Sequence, residues 1–213
     1  TLPTGIDKAD IVVIQPGSGP VDRDGNLPGH RNNSLRMLST ALAERGIASL
    51  RIDKRGIGKN RAAGLDETKL RFEIYVDDFA DWARIAGEQG SVGRVFLLGH
   101  SEGALIATLA ALTTDVSGVI LIAGSGVPAG RLIARQNDVS GAASSVRRKI
   151  SEILGMLEFG DPYPNPPVSL HALFRSSIQP YLLSWFRYDP AAELGKLRLP
   201  VLIVQGSTDF QVW

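Results

Sequence analysis

The residues best placed to do chemistry are Gly99-His100-Ser101-Glu102-Gly103, a Gly-x-Ser-x-Gly pattern. An apolar run, Val95-Phe96-Leu97-Leu98, stops at Gly99, and a helical pattern starts directly after Ser101. The serine therefore sits on a strand-to-helix corner. Such a corner forces the serine into a strained backbone conformation, and a Cβ at Gly99 or Gly103 would collide with the neighbouring strand or helix. The hydroxyl is held out over the helix N-terminus. There the Glu102 N–H, an unpaired first-turn donor, can point at the oxyanion of a carbonyl that Ser101 attacks, and the helix dipole favours that negative charge. One turn thus supplies a nucleophile and half of an oxyanion hole. The plainer alternative is a glycine-bounded turn with an incidental serine.

The second donor must come from another element. Asp10-Ile11-Val12-Val13-Ile14-Gln15 reads as a buried parallel strand that ends at Pro16-Gly17-Ser18-Gly19-Pro20. This loop has no lysine at P-loop spacing, so it is not a phosphate cradle. The Ser18 N–H is the candidate donor, with Gly19 as substitute; Pro20 has no N–H to give.

Further strands are expected at residues 47–53, 94–98, 118–124 and 200–205, and helices at residues 35–45 and 70–89, the first capped by Asn33 or Ser34. Strands alternating with helices make an α/β protein with a mostly parallel central sheet flanked by helices. Arg51, Asp53 and Arg55 are expected to pair with each other and with backbone to brace the sheet edge. Between the last two strands the texture changes. Residues 131–159 read as helix with a break near Ser140-Gly141, a proline-rich connector follows, and residues 171–186 read as one more helix. An insertion at that place reads as a helical lid over residues 126–195, with the core made of 1–125 and 196–213. Its aromatic and aliphatic residues either line an acyl pocket or pack the lid itself.

After the last strand comes Gly206-Ser207-Thr208-Asp209. A carboxylate just past a strand end, later in the chain than the nucleophile, suits the acid that orients a histidine base and stabilises its imidazolium. A turn aspartate also has purely local uses. The three histidines are His30, in a polar loop, His100, on the corner itself, and His171, in the insertion. His30 is either a substrate contact or solvated, and His100 is expected to pack or hydrogen-bond locally, because neighbours on a tight turn point apart.

Composition narrows the partners. The 213 residues are 44% hydrophobic and 21% charged, which suits one globular domain. A net charge of +1 gives no reason to expect nucleic acid, and no apolar stretch reaches membrane-spanning length. Without cysteine there is no disulfide, thiol nucleophile or thiolate metal site. Asp22 and Asp24 lie in a loop that lacks the later glutamate of an EF-hand, so no metal and no organic cofactor are expected. The chain begins at Thr1, which leaves the compartment open between cytoplasm and secretion with a leader removed.

Together the Gly99–Gly103 elbow, the Gly-Ser-Gly-Pro loop, Asp53-Lys54-Arg55-Gly56-Ile57-Gly58 and Gln205-Gly206-Ser207-Thr208-Asp209 resemble the α/β-hydrolase superfamily. The likeness is to a bacterial esterase-type subgroup in the serine aminopeptidase and dienelactone-hydrolase neighbourhood. The resemblance implies hydrolysis of small-molecule acyl esters through an acyl-enzyme on Ser101, with Asp209 as acid and Ser18 and Glu102 as amide donors. It also implies a base histidine after the acid, whereas no histidine follows His171 here. The expectation is a hydrolase lacking its last strand and helix, with residues 201–204 left as an apolar edge strand open to a second copy or a complementing chain. The rival expectation is a catalytically silent hydrolase fold that binds a ligand or assembles through that edge.

Overall fold

A computed structural model describes residues 1–5, 7–64 and 66–212 of the chain. They form two compact units, Thr1–Gly64 with Tyr75–Gly124 and Glu193–Trp213, and Leu65–Ile74 with Ser125–Ala192.

The first unit is built on five parallel strands, β1 (Ala9–Gln15), β2 (Ala48–Arg51), β3 (Val92–His100), β4 (Gly118–Ile122) and β5 (Val201–Val204), in the order β2-β1-β3-β4-β5. Side chains alternate across the sheet. Val12, Ile14 and Leu98 share one face and pack against Leu35 of helix α1 (Ser34–Ala43), with Leu38 and Leu42 beside them. On the other face, Val95 meets helix α2 (Phe72–Gly87) at Gly87, where an added Cβ would stand 3.4 Å from the valine. Two covered faces explain the unbroken apolar runs of β1 and β3, and each fully buried Val, Ile or Leu contributes roughly 1.5–3 kcal/mol. Helix α3 (Glu102–Ala111) is buried along its whole length, which its apolar composition on every side requires. Among the described residues β5 pairs only with β4, and its four side chains are exposed.

The strand order reverses direction at β1, whose neighbours β2 and β3 are reached by crossovers to opposite sides. In open α/β sheets the crevice at such a switch point, beyond the carboxyl ends of the strands, is where ligands bind. Gln15 pairs with Gly99 in register, so the loop after β1 and the corner after β3 emerge side by side at that point.

Two local expectations are corrected. Asn33 stands at the N-cap of α1 but makes no side-chain capping bond: it takes a left-handed conformation (φ 53°) and its side-chain oxygen accepts from Asn26, while the Ser34 N–H donates to Asn32. Arg51, Asp53 and Arg55 do not pair among themselves, although Asp53 does bond backbone, accepting the N–H groups of Arg23 and Lys59. Asp53 binds Arg23, Arg51 binds Asp24, and Arg55 binds Asp78 of α2. The polar loop at residues 22–26 is thereby tied to the sheet. Within it the Asp22 carboxylate accepts the N–H groups of Asp24 and Asn26.

The second unit carries α4 (Ala129–Val139), α5 (Ser144–Phe159), α6 (His171–Phe174), α7 (Gln179–Trp185) and the start of α8 (Pro190–Leu194). The expected break between α4 and α5 falls at Gly141, in the left-handed region at φ 72°. Residues 171–186 are not one helix. Arg175 is extended (φ −49°, ψ 145°), and its guanidinium is bound to Glu67 rather than free to follow a helix. Phe72 organises the interior: its ring stacks on Trp185 at 5.8 Å, Tyr181 and Tyr188 lie within 6.0 Å, and its N–H donates to Ser184 Oγ at 2.8 Å. Gln179 is buried, and its amide bonds the backbone of Tyr163 and Phe174, which fixes the proline-rich connector. His171 serves the same connector, with Nε2 2.9 Å from the Pro166 carbonyl.

Candidate active site

β3 ends at His100 and α3 begins at Glu102, which leaves Ser101 alone on the corner. Its backbone stands at φ 56°, ψ −121°. That conformation costs a non-glycine residue on the order of 1–3 kcal/mol and persists only where the surroundings over-determine it. They do so here. The Ser101 N–H donates to the Ile122 carbonyl of β4 at 2.9 Å, and the Ala104 N–H donates to the Ser101 carbonyl at 2.9 Å. A Cβ on Gly99 would lie 1.9 Å from the Gly103 carbonyl oxygen, and one on Gly103 would lie 2.7 Å from the carbonyl oxygens of both Gln15 and Pro16. Three backbones, those of β1, β3 and α3, meet where only glycine fits.

The loop after β1 closes against this corner. A Cβ on Gly17 would stand 3.2 Å from Ser101 Cβ and 3.3 Å from His100 Nδ1. Gly17 is buried and Ser18, next in the chain, is exposed. The structure thus brings Ser101, His100, Glu102 and the Gly17-Ser18 peptide to one place. His30 is held in the polar loop, where its N–H and carbonyl bond Leu27.

Asp209 lies beyond β5, in a turn of its own making. Oδ1 accepts the N–H groups of Gln211 and Val212, each at 3.0 Å, and Oδ2 accepts from Gln205 Nε2 at 3.1 Å. The Val212 N–H is the main reason that the carboxyl stays below its usual range, and nearby His100 adds to this. The influence is mutual. Desolvation by the surrounding protein lowers the pKa of His100, although part of its ring faces solvent, and the Asp209 charge opposes that shift. The ends of β3 and β5 are therefore electrostatically coupled through His100 and Asp209.

One residue escaped the sequence reading. Lys54, just past β2, is buried, with Nζ 2.6 Å from the Gly17 carbonyl oxygen and 3.5 Å from Glu102 Oε2, and it stands 5.3 Å from the centre of the Tyr75 ring. Burial pulls its pKa down and Glu102 pushes it back up. In the sequence Lys54 stands between Asp53 and Arg55 and carries no mark that separates it from a solvated loop cation. Among the described residues, no three His, Asp or Glu side chains gather as a metal would need. No helix among them is long and apolar enough to cross a membrane.

A strained serine on a glycine-walled corner at the sheet's switch point is the hallmark of one architecture, and comparison agrees. Residues 29–175 match the family described as Serine aminopeptidase, S33. The chain belongs to that family. This α/β-hydrolase is 30% identical over 216 residues to Esterase EstD of Thermotoga maritima, an alignment that covers 100% of the chain and 49% of the esterase. The chain therefore spans about half the length of the curated relative it matches. Among solved structures the chain shares its fold with Est1E from Butyrivibrio proteoclasticus, at a TM-score of 0.59 and 17% identity, over 99% of this chain and 73% of that one. A thermophilic esterase from Thermogutta terrifontis gives a TM-score of 0.57 at 18% identity, over 96% of this chain and 74% of that one.

Proposed function

We propose that the protein is a serine esterase that hydrolyses small carboxylic esters through an acyl-enzyme on Ser101. The observation that carries the reading is the positive-φ Ser101 with the Gly17-Ser18 peptide against it. In this reading a base takes the Ser101 hydroxyl proton as Oγ attacks the acyl carbonyl, and holds it for the leaving group. The N–H groups of Ser18 and Glu102 donate to the developing oxyanion, a kind of contribution worth roughly 10²–10³-fold in turnover per donor. The alkoxide takes a proton and leaves as alcohol, and water then attacks the acyl-enzyme and releases the carboxylic acid. Both proton transfers need a base. Asp209 orients that base, a histidine in the triad arrangement, which these 213 residues do not supply after Asp209. The names of Esterase EstD and of the Thermogutta terrifontis enzyme support the choice of ester over amide.

The test is intact-mass analysis of the naturally expressed protein before and after a fluorophosphonate probe, with Ser101→Ala alongside, followed by turnover on matched esters, thioesters and amides. One adduct, absent from Ser101→Ala, and preference for the ester are expected. A protein that takes no adduct and turns over no acyl substrate would overturn the reading and leave a hydrolase fold used for binding.

A further inference from the structure

Lys54 is the only lysine or arginine in the buried set among the described residues, and its partner Glu102 is buried with it. Buried ion pairs are weak sources of stability, because desolvation offsets most of the attraction and an apolar pair of the same size does as well. What the pair does here is geometric. The Lys54 ammonium donates to the Gly17 carbonyl oxygen at 2.6 Å. That oxygen and the Ser18 N–H are the two ends of one planar trans peptide and point in opposite directions, so holding one aims the other. The same ammonium reaches the carboxylate of Glu102, whose own N–H opens α3 directly after the nucleophile. A cation on the amide oxygen also polarises the peptide and makes its N–H a stronger donor.

We infer that Lys54 is a positioning residue that sets both oxyanion donors, Ser18 N–H and Glu102 N–H, from behind the site; the inference rests on the esterase reading above. It acts through the Gly17-Ser18 peptide and the Glu102 side chain and does not touch the substrate.

The test compares Lys54→Met, similar in length and uncharged, with Lys54→Met/Glu102→Gln, which removes both charges of the pair. In ester turnover by the naturally expressed protein, kcat is expected to fall about 10- to 100-fold in both variants with KM nearly unchanged, the signature of a transition-state interaction. A double variant with wild-type kcat overturns the inference, and so does a loss of kcat that merely follows the fraction of folded protein. If the wild-type protein has no turnover, the esterase reading fails by itself, and the amide ¹H–¹⁵N resonances of Ser18 and Glu102 then decide about Lys54. Movement of both in Lys54→Met retains the clamp, whereas unmoved resonances refute it.

Discussion

The ends of β3 and β5 both carry a residue with a chemical assignment, and they are built in opposite ways. At the end of β3 the corner is held by tertiary packing: a Cβ on Gly99 would lie 1.9 Å from a carbonyl oxygen of α3, and α3 is buried along its whole length. At the end of β5 the strand is exposed, up to 60% at Ile203, and the Asp209 turn is held by its own neighbours, Gln205, Gln211 and Val212. A strained conformation needs walls around it, because nothing local favours it. An aspartate turn needs only nearby N–H groups. The geometry of Ser101 is thus a property of the fold and that of Asp209 a property of a short segment.

Catalysis should be blind to that contrast. Ser101→Ala is expected to lower kcat about 10⁶-fold, and Asp209→Asn about 10⁴-fold through loss of control over the base tautomer, both measured on an activated ester. Equal retention of the folded state by the two variants in a thermal scan would show that both losses are chemical. An Asp209→Asn protein with wild-type kcat would reduce Asp209 to a turn residue.

Stability should expose the contrast. Gly99→Ala is expected to cost about 3 kcal/mol or more, since the new methyl meets backbone that cannot yield. Gly206→Ala, whose Cβ would meet only ordinary contacts at 3.7 Å and 3.9 Å from Asp209, should stay within about 0.5 kcal/mol. Urea midpoints at a common slope decide between them, and similar costs at both positions would remove the distinction. Ser101→Gly sharpens it from the other side. Relief of the φ 56° conformation should stabilise the protein by about 1 kcal/mol while ester turnover is lost. A destabilised Ser101→Gly would mean that the corner is not strained.

The same contrast explains what was legible in the sequence. The elbow could be read because its constraint is written in residue types at fixed spacing, Gly99, Ser101 and Gly103, between a strand run and a helix run. The parallel sheet could be read because strands covered on both faces leave unbroken apolar runs. Partners of charges could not. Asp53 looked like a neighbour for Arg51 and Arg55, yet its hydrogen bonds come from Arg23 and the Lys59 N–H, through a loop whose path depends on the whole fold. Lys54 was invisible for the same reason: its burial is created by Gly17, Tyr75 and Glu102, each from a different part of the chain. The break in residues 171–186 falls at Arg175, whose guanidinium is bound to Glu67, a partner more than a hundred residues away.

The coupling between the two strand ends offers the smallest effect, and its sign can be worked out. Desolvation, partly offset by the Asp209 charge, lowers the pKa of His100 below its ordinary value of about 6.5. As pH falls through that value the unfolded chain takes up the proton first. The stability associated with a neutral His100 is therefore complete above about pH 6.5 and is lost as pH falls to the folded value. His100→Gln should remove this loss, so that its unfolding free energy changes less than that of the wild type between about pH 8 and about pH 5. Asp209→Asn removes the charge that favours the imidazolium, so the folded value drops further and the loss over the same interval should grow. The Asp209 carboxyl, held below its usual range, titrates beneath this window and does not add to it. Since His100 is partly open to solvent, screening keeps the differences small, and urea titrations of all three proteins at low ionic strength are the right measurement. A pH loss that is unchanged in Asp209→Asn would show that the two turns do not sense each other's charge, and would leave packing as the sole link between the ends of β3 and β5.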